Sequence, residues 1–261
     1  MARWRPSPFL QASALVHAGA AAGLLANPAW WPAALGALVA NHAALTVAGL
    51  LPRSHLLGPN LTHLPTEAAR RGEVVISIDD GPDPEVTPRV LEQLAAAGAR
   101  ATFFCIGRRA AAHPGLVRDI LAAGHTIENH SEHHWKRFST LGPGAMAREI
   151  ATAQETLGQL SGRRPRYFRA PAGLRNPFLD PILSRLDLHL ASWTRRAYDT
   201  RAGDPQRVLS RLCTGLGGGD ILLLHDGNAA RTPDGRPVIL EVLPTLLARI
   251  RDAGLSTTPL P

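Results

Sequence analysis

The segment from Val74 to Leu94 constrains the fold more than any other part of the chain. It opens with a short apolar run rich in β-branched residues, which is typical of a buried parallel strand. The run ends at Asp-Asp-Gly-Pro, residues 79–82, because Gly-Pro interrupts both strand and helix periodicity. Thr87, followed by a proline, then predicts a helix with Thr87 as its N-cap. Two carboxylates are therefore expected at the carboxyl end of a strand, just before a helix.

This carboxylate pair, Asp79 and Asp80, predicts a metal site. Adjacent carboxylates repel each other, so one of them stays protonated unless a cation neutralises the pair. In α/β folds the carboxyl ends of the strands are the usual place for chemistry. Further ligands are then expected at the ends of other strands.

Strand-like and helix-like segments alternate from Arg71 onward, and this predicts parallel βαβ units. The strand-like segments are 74–78, 101–107, 125–131, 167–173, 188–195 and 220–226. The helix-like segments are 87–98, 113–124, 143–160, 177–186, 205–216 and 238–254. Seven or so such units in about 190 residues fit an α/β barrel better than an open sheet.

Polar side chains that could bind a metal ion or take part in catalysis lie at the predicted strand ends. In chain order they are His130, with His134 four residues later, Arg169, Asp199, His225 and Asp226. An H-x-x-x-H pair in a helical turn places both imidazoles on one side, where they can bind one cation. His133 offers an alternative H-x-x-H spacing, so the pattern leaves the second ligand open. Asp226 is interpreted as a structural hydrogen-bonding residue.

Two uncharged segments, Phe9–Ala26 and Ala33–Leu51, precede this region. Each approaches the ~20 residues that cross a bilayer. Between them lie turn formers and two tryptophans, Trp30 and Trp31, as expected at a membrane interface. Residues 1–53 are therefore predicted to form a membrane-anchoring helical hairpin. A signal peptide and a buried soluble helical pair are the alternatives.

Arginines flank the hairpin at Arg3, Arg5 and Arg53 and are absent from its turn. By the positive-inside rule, the region after the hairpin is expected on the cytoplasmic side of the membrane. Because the flanking charges are few, the extracytoplasmic side is kept as the alternative. Residues 54–71 have the composition of a linker, and residues 72–261 are expected to form the soluble domain.

The amino-acid composition narrows the classes of binding partner. The net charge is +7, and Lys136 is the only lysine among 28 basic residues. This arginine excess favours anionic lipid headgroups or an anionic substrate, although a genome-wide codon preference also produces it. Basic runs with interleaved aromatic residues are absent from the sequence, so no nucleic-acid partner is predicted. Cys105 and Cys213 are interpreted as small buried hydrophobic residues.

Four segments, SIDDGP, HSEHH, RAPAG and LLLHD, resemble in order and spacing the motifs of the polysaccharide deacetylase family, also called the NodB-homology domain or carbohydrate esterase family 4. The resemblance covers about residues 72–258. It implies a distorted (β/α) barrel that holds one divalent metal ion, usually zinc. It also implies hydrolysis of an acetyl group on a sugar, most often an N-acetyl group.

The resemblance also implies roles for single residues. The metal ligands would be Asp80, His130 and His134. Asp79 would be the general base, paired with Arg169, which would keep it ionised. His225 would be the general acid, with Asp199 as the partner that orients it and favours its protonated form. Here Asp199 is followed by Thr200, whereas an Asp-Trp pair is common in the family.

Three further residues are assigned to the substrate. In the family analogy the backbone N–H of Ala172 would stabilise the oxyanion, and Leu223 would line the pocket for the acetyl methyl group. Trp135 follows the last predicted ligand and offers either a sugar-stacking platform or ordinary packing.

Together these features predict a bacterial inner-membrane deacetylase that uses one divalent metal ion, zinc by analogy. Its substrate would be an acetylated amino sugar in a glycan or a glycolipid, with a lipid-linked saccharide suggested by the hairpin. The alternatives are an O-acetyl esterase on the same fold and a non-catalytic metal- or carbohydrate-binding domain. The complete set of predicted metal, base and acid residues argues against the latter.

Overall fold

The computed structural model describes residues 4–261, so the predicted flanking residue Arg3 lies outside the described part. Within that part, eight strands form one sheet in which every pairing is parallel. The strands are β1 (Glu73–Asp79), β2 (Ala101–Cys105), β3 (Thr126–Asn129), β4 (Tyr167–Phe168), β5 (His189–Leu190), β6 (Arg195–Arg196), β7 (Ile221–His225) and β8 (Ser256–Thr257). Their order is β5-β4-β3-β2-β1-β7-β6, and β8 pairs with the start of β1.

Ten α-helices accompany the sheet within residues 4–261. They are α1 (Pro8–Ala26), α2 (Trp31–Leu50), α3 (Thr66–Arg70), α4 (Thr87–Ala96), α5 (Gly107–Ala112), α6 (Pro114–Ala122), α7 (Pro143–Ser161), α8 (Leu179–Arg185), α9 (Pro205–Cys213) and α10 (Val238–Asp252). This is the predicted α/β architecture, a distorted barrel of parallel strands preceded by an apolar helical pair, and that prediction is confirmed.

The side-chain alternation of the central strands separates packing from chemistry. One face of β1 joins the apolar layer under the helices through Val74, Ile76 and Ile78. The other face points into the barrel through Val75, Ser77 and Asp79. In β7, Leu222 and Leu224 join the same apolar layer, whereas Ile221 and Leu223 pack inside the barrel. Burial of each such aliphatic side chain contributes roughly 1.5–3 kcal/mol, so the aliphatic residues of both faces stabilise the sheet, while Ser77 and Asp79 place polar groups on the inner face.

The barrel is open between its two edge strands. Residues 188–195, which the sequence pattern presents as one strand, divide into β5 and β6 at opposite edges of the sheet. Residues 191–194 cross the gap between them. The buried guanidinium of Arg169 bonds this crossing through the carbonyl oxygens of Ala191 and Ser192, at 3.2 and 2.7 Å.

The start of α4 differs from the sequence prediction. The N-cap position is Val86, and Thr87 is the first helical residue, so the prediction of Thr87 as N-cap was wrong. Its hydroxyl accepts a hydrogen bond from the backbone N–H of Asp83 at 2.7 Å and donates one to Asp226 at 2.5 Å. Thr87 therefore ties the helix to the end of β7, because a buried carboxylate requires hydrogen-bond donors.

The N-terminal helices α1 and α2 pair with each other and leave large apolar side chains exposed. By length and composition both are able to cross a membrane. Leu15, Leu25 and Val39 are 73%, 87% and 61% exposed. Between the helices, the Asn41 amide donates to the Ser13 hydroxyl at 2.9 Å. A polar contact between two otherwise apolar helices is a common packing device in lipid.

Candidate active site

Strand register brings the predicted residues together. Asp79 of β1 lies directly beside His225 of β7 and beside Phe104 of β2. Asn129 of β3 pairs with Phe168 of β4, so the next residues, His130 and Arg169, are neighbours across the same edge. The carboxyl ends of five strands thus converge on one cleft, whose cavity measures about 680 Å³.

Asp80, His130 and His134 form a cluster of potential metal ligands. One ligand atom from each lies within 4.8 Å of the others. The Asp80 Oδ1 atom is 3.3 Å from His130 Nε2 and 3.2 Å from His134 Nε2. Although this oxygen is buried, it makes no hydrogen bond within the described residues. A buried carboxylate oxygen left without a donor is the arrangement that a cation would satisfy.

The protonation of the two histidines supports the same fit. His130 Nδ1 lies 2.8 Å from the carbonyl oxygen of Arg169, which can only accept, so Nδ1 carries a proton and Nε2 keeps its lone pair in the neutral ring. Burial and the neighbouring His130 lower the pKa of His134 to about 4. Burial works against ionisation of Asp80, but the surrounding imidazoles, His130 first, outweigh it and hold the pKa of Asp80 well below its usual value. Two imidazoles that turn Nε2 toward one carboxylate oxygen match the donor set of a divalent metal site that keeps positions open.

His133, the alternative ligand, is occupied elsewhere. Its Nδ1 is 2.7 Å from Glu149 Oε1, and its backbone N–H donates to Glu149 Oε2 at 3.0 Å. The segment is also a loop, so the expectation of a helical turn was wrong. Ser131 and His134 have left-handed backbone angles, with φ values of 64° and 52°, and these angles direct His134 rather than His133 toward Asp80.

Asp79 is held by Arg169. The Arg169 NH1 group donates to Asp79 Oδ1 at 2.6 Å and to the Ser77 hydroxyl at 2.8 Å. Arg169 is only 1% exposed and its guanidinium lies 4.0 Å from the ring centre of Phe104. Because Oδ1 is engaged, Oδ2 is the oxygen of Asp79 left to accept a proton; it lies 3.8 Å from His130 Nε2.

His225 is held by Asp199 through two contacts. Asp199 Oδ1 is 2.8 Å from His225 Nδ1, and Asp199 Oδ2 accepts the backbone N–H of His225 at 2.8 Å. Burial disfavours the charged ring, but Asp199 outweighs burial and raises the pKa of His225 to about 9. Nε2 is the remaining nitrogen, and at neutral pH it carries a proton that it can donate.

Asp226 lies behind this arrangement as a structural group. It is 1% exposed, and its carboxylate accepts the Thr87 hydroxyl and the Gly227 N–H. Burial raises its pKa to about 7. Gly81 is required opposite it, because a Cβ atom there would collide with the carboxylate oxygens.

The three residues assigned to the substrate occupy different positions. Ala172 and Leu223 both line the cleft, and Ala172 has a left-handed φ of 57°. Trp135 does not line the cavity found in the described residues. Instead its ring stacks on His133 at 5.4 Å, with the Arg137 guanidinium 5.3 Å from its centre.

Sequence reasoning missed two residues that hold Asp80. The Asn228 amide donates to Asp80 Oδ2 at 3.0 Å, and Arg109 NH1 donates to the Asp80 carbonyl at 2.8 Å. Arg109 also reaches the Asn228 side-chain oxygen at 3.3 Å. Arg109 comes shortly after the end of β2 and Asn228 shortly after the end of β7. A search of all polar residues near the strand ends would therefore have included both. Trp193 lines the same cleft from the crossing segment, where no sequence signal marks it.

Comparison with known proteins agrees with this geometry. The sequence profile of the family described as polysaccharide deacetylase matches residues 66–191. A chitooligosaccharide deacetylase of Azorhizobium caulinodans is 32% identical over 198 residues, covering 73% of this chain and 94% of the relative. The chain belongs to the polysaccharide deacetylase family. The resemblance recognised from the four sequence motifs is thereby confirmed.

Other members of the polysaccharide deacetylase family extend the match. A peptidoglycan-N-acetylglucosamine deacetylase of Bacillus cereus is 32% identical over 161 residues, covering 61% of this chain and 75% of the relative. The structure of a family 4 carbohydrate esterase from Streptomyces lividans, in complex with acetate, superposes with a TM-score of 0.64 at 29% identity. That match covers 71% of this chain and 91% of the esterase. The chain is thus a hydrolase of the polysaccharide deacetylase type, acting on carbon–nitrogen bonds other than peptide bonds.

Proposed function

We propose that this protein removes the N-acetyl group from an amino sugar in a glycan or lipid-linked saccharide, with Asp79 as general base and His225 as general acid. The observation that carries the proposal is the convergence of Asp80, His130 and His134 beside both groups. The named relatives support the substrate class, since they are deacetylases of chitooligosaccharide and of peptidoglycan N-acetylglucosamine.

Asp80, His130 and His134 would hold the divalent metal ion, which we take to be zinc. When bound there, such an ion lowers the pKa of a water molecule and polarises the acetyl carbonyl. The chain's own residues would supply the proton transfers. Asp79 Oδ2 accepts the proton of the attacking water, because Arg169 engages Oδ1 and leaves Oδ2 as the available oxygen.

His225 would complete the reaction from the other side of β1. Its Nε2 proton moves to the sugar nitrogen as the carbon–nitrogen bond breaks, which yields acetate and the free amine. Asp199 fixes the ring and keeps it charged until that step. The N–H of Ala172 faces the developing oxyanion in this scheme, and Leu223 contacts the acetyl methyl group. Trp135 remains a candidate sugar contact at the outer rim.

The protein would act as a membrane enzyme, with residues 1–53 as anchor, 54–71 as connection and 72–261 as catalytic domain. Support comes from the exposed apolar side chains of α1 and α2 and from Trp30 and Trp31, which are 57% and 61% exposed at the turn. Arg5 and Arg53 at the opposite end favour the cytoplasmic side for the catalytic domain.

The test compares wild type with Asp79→Asn. The full chain is extracted from bacterial membranes that have been washed with alkaline carbonate. If the protein is absent from the washed membranes, the proposed anchor is contradicted. We expect one metal ion per chain in both proteins and acetate release from tetra-N-acetylchitotetraose by wild type. The variant should be slower by about 10³-fold, because a positioned general base contributes roughly 10²–10⁴-fold. Asp252→Asn, which changes an exposed carboxylate at the end of α10, is the matched control.

Wild type that binds no metal even with added zinc would contradict the proposal. Acetate released from O-acetylated but not N-acetylated sugars would replace it with the esterase alternative. Metal binding without acetate from either substrate would favour the binding domain.

A further inference from the structure

Two cavities meet beside the cleft. The catalytic cavity shares Trp193 and Arg196 with a second cavity of about 550 Å³. That second cavity continues to Leu51 and Arg53, which directly follow α2. A continuous surface therefore runs from the end of an apolar helix to the catalytic residues.

The end of α2 packs directly on the edge of the barrel that carries the active site. The backbone N–H of Arg175 donates to the Gly49 carbonyl at 3.1 Å. The Ser192 hydroxyl donates to the Pro52 carbonyl at 2.8 Å. Pro52 also lies so close to Gly173 that a Cβ atom there would be 2.9 Å from Pro52 Cβ. If α2 spans a membrane, the cleft therefore opens beside the surface of that membrane.

Arg196 stands at the junction of the two cavities without a carboxylate. Its guanidinium lies 5.1 Å from the Trp193 ring centre and 4.9 Å from that of Tyr198. Its Nε is buried and lacks a hydrogen-bond partner within residues 4–261. Arginine held between aromatic rings is weakly hydrated and presents its donor groups to an anion in a fixed plane.

Other cations surround the same path. Arg53 is exposed and donates to the Thr194 carbonyl at 3.0 Å. Exposed cations also line the cleft itself: Arg108, Lys136 and Arg201. Across the described residues none of these makes a salt bridge, and the lining carboxylates of the two cavities are Asp79 and Asp80 alone. An excess of unpaired cations along a path to a buried site favours an anionic ligand.

An apolar surface continues the path on the other side. Val47, Leu50 and Leu51 are 56%, 55% and 51% exposed on the last turns of α2 and just beyond it. Exposed aliphatic side chains that adjoin a cationic site match a lipid chain attached to an anionic headgroup.

We propose that the substrate is an amino sugar joined through a phosphate to a lipid of the same membrane. The phosphate binds Arg53 and Arg196, the lipid chain follows the end of α2, and the acetylated sugar enters the cleft. This inference rests on the proposed deacetylase function, selects the lipid-linked saccharide among its substrates, and adds the phosphate that links the sugar to the lipid.

The experiment separates the two added groups. The full chain, in neutral-detergent micelles and loaded with zinc, is given four substrates that contain N-acetylglucosamine: its hexadecyl phosphodiester, its 1-phosphate, its hexadecyl glycoside and chitobiose. We expect kcat/KM for the phosphodiester to exceed each of the others by at least about tenfold. The double variant R53Q/R196Q should lower the preference for the phosphodiester over chitobiose by about tenfold, through KM. Arg118→Gln, an exposed arginine on α6 outside both cavities, is the matched control.

A second readout requires no turnover. A fluorescent hexadecyl phosphodiester should bind R53Q/R196Q about tenfold more weakly than wild type. Phosphatidylglycerol, which has the phosphate and the lipid but no amino sugar, should displace it at least tenfold less well than the unlabelled phosphodiester.

The outcomes distinguish this inference from the function on which it rests. Equal turnover of all four substrates, or an unchanged preference in R53Q/R196Q, overturns the lipid-phosphate inference and leaves the deacetylase intact. The same holds if phosphatidylglycerol displaces the probe equally well, because the surface then binds headgroups in general. Acetate from none of the four substrates overturns the proposed function together with the inference.

Discussion

Histidines on the two sides of β1 are brought to opposite protonation states. On the side that holds Asp80, His130 and His134, which we call the metal side, the pKa of His134 is lowered to about 4 by burial and by His130. On the side of Asp199 and His225, which we call the acid side, burial also disfavours the charge, yet Asp199 raises the pKa of His225 to about 9. Burial acts in the same direction on both rings, so it does not explain the difference.

The partner of each ring explains it. His134 shares the Asp80 carboxylate with His130, and in addition to burial that second imidazole lowers the pKa of His134, whereas His225 Nδ1 faces the Asp199 carboxylate at 2.8 Å. A neutral ring offers a lone pair to a metal, and a charged ring offers a proton to a leaving amine. In the proposed mechanism, one residue type thus takes two roles, and the groups placed beside each ring decide which role it takes.

The largest expected effect comes from removing a ligand on the metal side. Mutation of a group that only orients a metal ligand lowers metal affinity by up to ~100-fold. His130→Ala deletes a proposed ligand itself, so we expect a larger loss of affinity. We expect no measurable acetate release from this variant. Metal content after dialysis and acetate assay measure both effects. His133→Ala is the matched control, since His133 contacts Glu149, and it should keep the metal. Loss of metal in His133→Ala but not in His130→Ala would reverse the assignment.

An intermediate effect is expected on the acid side. In Asp199→Asn the pKa of His225 should fall from about 9 toward its ordinary value of 6.5. A general acid must be protonated, so its contribution is lost as pH rises through its pKa. At pH 8 the variant should therefore be slower by about 30-fold, and at pH 6 the protonation deficit should nearly vanish.

NMR titration of His225 in the metal-free protein measures this pKa directly, and acetate release at pH 6 and 8 measures its consequence. A variant in which His225 still titrates near 9 would show that Asp199 is not the group that charges the ring.

The smallest effect concerns the group that orients Asp80. Asn228→Gly removes the amide that donates to Asp80 Oδ2, and glycine accepts the local φ of 60° without strain. We expect about tenfold weaker metal binding, at the lower end of the range for groups that orient ligands. Competition with a chelator measures this affinity, and thermal unfolding of the metal-free protein provides the control. A large loss of stability without metal would make Asn228 a structural residue instead.

The main features of the site were predictable from local sequence because parallel strands end at one edge. Each of the five predicted residues ends an apolar strand or directly follows one, so their proximity follows from the βαβ pattern: Asp79, Asp80, His130, Arg169 and His225. Arg109 and Asn228 obey the same rule but have no chemical signature, and they were overlooked. Trp193 belongs to the segment 188–195 that appeared as one strand, and Arg196 directly follows it; only the open barrel separates this segment into two edges.

The choice between His133 and His134 shows where local information ends. Both spacings are compatible with one cation, and the sequence pattern favours a helical turn that the chain does not form. Glu149, sixteen residues later on α7, decides the matter by binding His133. A contact of that kind depends on how a distant helix packs against the loop, and no local periodicity records it.

By itself, then, the sequence determined the alternation of the main strands and helices, the apolar hairpin, the family and the residues at the strand ends. These depend on periodicity and on residue chemistry, which are properties of neighbours along the chain. Only the tertiary structure decided which imidazoles are neutral or charged, which oxygen of Asp79 is free, and that the end of α2 lies against the active-site edge. Those properties depend on burial and on contacts between segments far apart in sequence, which exist only once the chain has folded.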